Sequence, residues 1–212
     1  MIFKKKNSKI NKIEKFWIWF TENNKKFLFL NQIDSKEIKD KLLDEFLKEL
    51  HEYCDKLYFE IGGHPEENNV ELIISAEGNV DYFDQVEKLI TSAPELKDWQ
   101  IIAFKPPMGK GFKTNYRGKE FDPSKIIFIP LNHQDDPTLV GLQVCYPDYS
   151  DDERDIFING TYIVIDTLIG EKSTALDINY LEVARTPENI KDYDFGHLEN
   201  IKEFIEEKKN AS

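Results

Sequence analysis

The fold turns on how Asp155-Ile156-Phe157-Ile158-Asn159-Gly160-Thr161-Tyr162-Ile163-Val164-Ile165-Asp166 is read. Asn-Gly between two β-branched runs is the strongest short-range hairpin signal, because both residues tolerate positive φ. The same stretch, extended to Leu168, puts Phe157, Val164, Ile165 and Leu168 on one helical face. Asp151-Asp152-Glu153 just ahead of it would meet the positive end of a helix dipole. The helical reading over 156–169 is preferred, with the hairpin as its rival. Strands near 126–129 and 139–146 then run into a helix and on to a strand at 176–184, a β-β-α-β unit within residues 120–185.

The same order occurs nearer the N-terminus. Residues 57–61 and 70–75 are β-rich and separated by Gly62-Gly63-His64-Pro65, which predicts an antiparallel pair. Val80, Phe83, Val86, Leu89 and Ile90 share a helical face that stops before Pro94, since proline disfavours the α region in the residue preceding it. A strand at 99–104 completes a first β-β-α-β unit within residues 55–107. Two such units predict one mainly antiparallel sheet with helices on one face.

Ahead of them, apolar residues at 13, 16, 17, 20, 27 and 28 have helical spacing, with a break expected near Asn23-Asn24. Asp34 or Ser35 caps a second helix whose stripe is Ile38, Leu42, Leu43, Phe46, Leu47 and Leu50. Residues 12–54 are therefore expected as a helical hairpin packed on the sheet. Ile201, Phe204 and Ile205 predict a closing helix over 195–209, and residues 1–11 a flexible basic arm. The expected class is α+β, a single domain over residues 12–212.

With 212 residues, 40% hydrophobic and 32% charged, the composition is that of a globular protein able to bury a core without disulfides. Forty acidic against 28 basic side chains leave a net charge of −12, which opposes a nucleic-acid backbone at long range. Residues 1–26 hold eight lysines and two glutamates, so they carry +6 and the remainder carries −18. An acidic body of this kind suits a basic protein partner. Cys54 and Cys145 form no C-x-x-C pair, which predicts a reducing, cytoplasmic home. The run Phe16-Trp17-Ile18-Trp19-Phe20 is too short for a signal-peptide core, and no stretch approaches the roughly 20 apolar residues of a membrane span.

His51 and Cys54 stand at i and i+3, but zinc needs three or four ligands and they have no companion pair. His133 with Asp135 and Asp136 reads as a polar loop, and no Ser stands in G-x-S-x-G. No metal, cofactor or catalytic residue is therefore expected. Two sets of residues carry the functional readings. Trp17 and Trp19, which a helix cannot bury on one face, and the acidic group Asp148, Asp151, Asp152, Glu153 and Asp155 point to partner binding. In the loop 105–119, glycines would let backbone approach an anion that Lys105, Lys110, Lys113 and Arg117 neutralise. Its spacing matches neither G-x-x-x-x-G-K-[ST] nor G-x-G-x-x-G. The leading expectation is a non-enzymatic, immunity-type or regulatory protein acting on a basic partner. The alternative is an enzyme or small-ligand-binding domain with an anion site at 105–119.

The segment from Glu71 to Pro107 carries Leu-Ile-Ile-Ser-Ala-Glu-Gly-Asn before its helix and Ala-Pro-Glu-Leu-Lys-Asp-Trp before Ala-Phe-Lys-Pro-Pro. Together with Trp-Ile-Trp-Phe-Thr-Glu-Asn at 17–23 and Leu-Ile-Gly-Glu at 168–171, it resembles a group of uncharacterised bacterial cytoplasmic proteins of about this length. The resemblance implies a helix before Gly170-Glu171 and a bacterial cytoplasmic home. It supplies no catalytic residue.

Overall fold

The computed structural model describes residues 11–28, 30–63, 69–136 and 138–210. All but Asn11 of the expected basic arm, and the turn at His64-Pro65, lie outside them. Two compact units divide the chain, residues 1–104 and 105–212.

In the first unit, α1 spans Lys12–Asn23 and α2 spans Lys36–Tyr53. Each begins where a side chain satisfies an orphan amide. The Asn11 side chain accepts from the Glu14 N–H at 2.8 Å, and Ser35 Oγ accepts from the Ile38 N–H at 3.4 Å. α1 ends at the expected Asn pair, whose amides donate to the carbonyls of Trp19 and Thr21 at 2.8 and 2.6 Å. Phe16, Phe20, Phe27 and Phe46 are buried, with contacting ring centroids 5.5 to 6.4 Å apart and Phe46 edge-on to the other three. β1 (Tyr58–Gly62), β2 (Val70–Ser75), α3 (Phe83–Thr91) and β3 (Trp99–Ala103) follow. The sheet order is β1-β2-β3, with β2 antiparallel to β1 and parallel to β3.

The second unit opens with a hairpin of β4 (Thr114–Tyr116) and β5 (Lys119–Phe121). β6 (Ile127–Leu131), β7 (Val140–Tyr146), α4 (Arg154–Ile169), α5 (Glu171–Asp177), β8 (Ile178–Arg185), β9 (Gly196–His197) and α6 (Ile201–Asn210) follow. The sheet order is β8-β7-β6-β9, with β7 antiparallel to β6 and parallel to β8. The β-β-α-β unit thus occurs twice with the same strand order and the same pairing senses, and residues 156–169 are helical in the second copy. A single 3₁₀ turn leads into the helix in each, Val80–Tyr82 and Asp151–Glu153. Phe83, Leu89, Val164 and Leu168 are buried as expected.

Most pairings are antiparallel, but the strands do not share one sheet. Each β-β-α-β unit has its own, beside the separate β4–β5 pair of the second, and the strands that flank each helical connection are parallel because the helix carries the chain back to the end where the preceding strand began.

Four elements, β4, β5, β9 and α5, are not announced by the sequence. The β4–β5 turn has positive φ at both Arg117 (51°) and Gly118 (86°), the backbone of a type I′ hairpin, but arginine conceals it where Asn or Asp would announce it. β9 is only two residues long. α5 occupies the start of the stretch expected as the last strand. Gly170, at φ 84° and ψ 153°, separates α4 from α5, a conformation open essentially to glycine. Beside it the buried Glu171 clasps Lys105: Oε2 accepts the Lys105 N–H at 3.2 Å, and the Glu171 N–H donates to the Lys105 carbonyl at 3.0 Å.

Candidate partner-binding surfaces

In the first unit, α1 places Ile13, Glu14, Trp17, Ile18, Thr21 and Glu22 along one flank. Trp17 is only 5% exposed, and its Nε1–H donates to the carbonyl of Leu89 at 2.8 Å, in the last turn of α3. That carbonyl also accepts the Ser92 N–H at 3.2 Å, and its second lone pair takes the indole N–H, which is satisfied and held in place. Beside the indole runs an open groove of about 470 Å³, walled by Ile13, Trp17 and Ile18 on one side and by Ser92 and Pro94 on the other. Glu14 and Glu22 also line it, and among the described residues that line it none is basic. Ile18 is 44% exposed. Among the described residues, neither Glu14 nor Glu22 forms an ion pair.

Trp19 takes a different course. It is half-buried, with its ring 5.7 Å from Phe46 and 6.0 Å from Phe27, and so belongs to the aromatic core. The structure therefore does not bring the two tryptophans together, because residues two apart on a helix point in nearly opposite directions. The groove's other walls, Ile13, Ile18 and Pro94, were missed in the sequence. The available signal was Ile18, an apolar residue that falls off the stripe of Phe16, Trp17 and Phe20.

In the second unit the acidic group surrounds the start of α4, with Asp148, Asp151, Asp152, Glu153 and Asp155 all exposed. Lys119, from β5, reaches into it. Its Nζ lies 2.7 Å from Asp148, 3.7 Å from Glu153 and 4.2 Å from the centre of the Phe157 ring, and its side chain is 19% exposed. The Lys119 hydrogen bond, aided by its charge, holds the Asp148 carboxyl below the ordinary carboxylate range. The Tyr149 hydroxyl donates to Asp151 at 3.1 Å. Asp152 and Asp155 have no basic partner among the described residues. Sequence reasoning set the 105–119 loop and the acidic group against each other as alternatives. The structure joins them through Lys119, which partly neutralises the cluster.

The four residues proposed for an anion site face different partners. Lys110 Nζ lies 2.8 Å from Asn200 Oδ1 and 2.5 Å from Glu203, and Lys113 Nζ lies 3.2 Å from Glu120 and 3.1 Å from Asp122. The Arg117 guanidinium sits 5.4 Å from the centre of the Tyr116 ring, and Lys105 belongs to the Glu171 clasp. At Lys110 and Lys113 an anion would have to displace carboxylates already in place.

His51 Nε2 lies 3.1 Å from the Leu57 carbonyl, and His133 Nδ1 accepts from the Asp135 N–H at 3.3 Å. Among the described residues no three His, Cys, Asp or Glu side chains are grouped to hold a metal ion. No described helix is long and apolar enough to cross a membrane.

No family model matches this chain, and neither the curated proteins nor the solved structures contain a match.

Proposed function

We propose that this chain works by binding a basic protein, in an immunity-type or regulatory role, rather than by catalysis. The observation that supports this reading is the groove beside Trp17: an apolar wall and two carboxylates, with no cation among the described residues that line it. Its volume of about 470 Å³ suits one or two apolar anchors from a partner, whose burial supplies affinity. Glu14 and Glu22 would pair with basic residues flanking those anchors. The acidic group at the head of α4 adds to a negative field that raises the association rate with a cationic partner.

Affinity capture from a native lysate tests this with three baits: wild type, Ile18→Asp, and Asp151→Asn with Asp152→Asn and Glu153→Gln. The expected result is a basic polypeptide retained by wild type and lost at least 10-fold on Ile18→Asp. The triple variant should slow association at low salt and converge with wild type above about 0.1 M, where exposed charges are screened beyond about 10 Å. An acidic partner, or a small anion released only by substituting Lys110 and Lys113, would overturn the reading.

A further inference from the structure

The inference drawn here rests on the basic-partner reading and concerns how such a partner is held. Among the described residues, the groove is lined by α1 and its N-cap Asn11, with Ser92 and Pro94 opposite, and no strand residue contributes to it. Recognition by strand addition needs a row of unpaired backbone N–H and C=O groups. The α1 wall presents no such row, because the Glu14 N–H is capped by the Asn11 side chain, the amides from Lys15 onward bond back along the helix, and Pro94 has no N–H to offer. Contact must therefore be made through side chains.

Those side chains form ridges at helical spacing. Ile13 and Trp17 stand at i and i+4, as do Glu14 and Ile18, and the track continues to Glu22. Rows of i, i+4 side chains are the surfaces into which a second helix interdigitates. Glu14 and Glu22 are eight residues apart, about 12 Å along the axis at 1.5 Å per residue. A helix lying along α1 matches that separation with basic residues at i and i+8.

We infer that the groove receives a basic amphipathic helix of about three turns. Its apolar residues, at i, i+3 or i+4, and i+7, enter beside Ile13, Trp17 and Ile18. A Lys or Arg near each end pairs with Glu14 or Glu22. Charge complementarity selects this occupant over an acidic or purely apolar helix. It also disfavours a second copy of this chain, whose net charge is −12.

The test is selection from a displayed library of 16-residue peptides with randomised positions, using the full chain as bait. Affinities of the enriched peptides are then measured by titration calorimetry. Enriched sequences should show the apolar helical stripe and basic residues eight apart. A central proline should weaken binding at least 10-fold, as should Ile18→Asp, a change at an exposed position that leaves the core intact. The pair Glu14→Lys and Glu22→Lys should lose the basic peptide and gain one in which Glu replaces the two cations.

Enrichment of basic peptides that tolerate proline would overturn the helical mode and leave the basic-partner reading standing. Enrichment of acidic peptides, or of none sensitive to Ile18, Glu14 or Glu22, would overturn both. Binding that appears only after residues 1–10 are deleted would assign the groove to the chain's own lysine-rich segment. A wild-type dimer abolished by Ile18→Asp would assign it to a second copy. Either result would overturn the inference.

Discussion

Phe121 stands over Gly160 so closely that a Cβ built on the glycine would lie 2.1 Å from the phenylalanine Cζ. The ring comes from the β4–β5 hairpin and is buried against α4, 5.9 Å from the Tyr146 ring and 6.5 Å from the Phe157 ring. Gly160 is therefore a notch in a helix rather than the corner of a hairpin. Asn159 is accommodated as well, its amide donating to the Asp155 carbonyl one turn back at 2.6 Å.

This relationship fixes the sign of a substitution. On an open helix surface Gly→Ala stabilises by about 1 kcal/mol through backbone entropy. Gly160→Ala should instead destabilise by about 1–3 kcal/mol, the usual cost of overpacking a core. Urea unfolding followed by circular dichroism measures it. Combining the change with Phe121→Leu should cost less than the sum of the two single changes, since the residues are in contact. A stabilised Gly160→Ala protein would show that the ring does not fill the notch.

Asp122 provides a pH-dependent test. Its Oδ1 accepts from the Ser124 hydroxyl at 2.6 Å and from the Ser124 N–H at 3.2 Å, and Lys113 Nζ lies 3.1 Å from its Oδ2. The Ser124 hydroxyl, then Lys113, push the carboxyl down to about 2 against the opposing effect of burial. A folded value below the unfolded one of 3.8 stabilises the fold above about pH 4, and that stabilisation is lost as pH falls through about 2. Ser124→Ala should move the Asp122 titration up toward the ordinary carboxylate range, as read by carboxyl-carbon NMR. The stability difference between the two proteins should shrink as pH drops below 4. An unmoved titration would assign the shift to Lys113 and the Ser124 N–H.

The two cysteines should react at very different rates. Cys145 is buried in β7, and burial, then the nearby Glu182 charge, push its thiol up to about 11. Cys54, at the end of α2, is half-buried. At pH 8 a thiol reagent should modify close to one equivalent in the native protein, at Cys54, and two in denaturant. Peptide mapping that finds Cys145 labelled at the native rate would show that β7 opens readily.

Local physics made much of the architecture legible in the sequence. Ser35 and the Asn23-Asn24 pair mark helix ends because short polar side chains bond the orphan backbone groups there. The apolar periods of 70–75 and 80–90 fit one kind of element each. The β4–β5 hairpin was hidden because Arg117 takes a positive φ that its side chain does not advertise. The acidic group is visible as neighbours in the sequence, but Lys119 lies 29 residues from Asp148, and no pattern reveals that the hairpin brings them together.

What the sequence determined by itself was the first β-β-α-β order, the capped start of α2 at Ser35 and the excess of negative charge, all of which follow from neighbours along the chain. Only the tertiary structure decided that Gly160 serves Phe121, that Trp17 bonds Leu89 and walls a groove while Trp19 joins the core, and that each unit keeps its own sheet. Those outcomes depend on van der Waals contact and hydrogen bonding between residues tens of positions apart. Such contacts exist only once the chain has folded back on itself, so no local period or propensity encodes them.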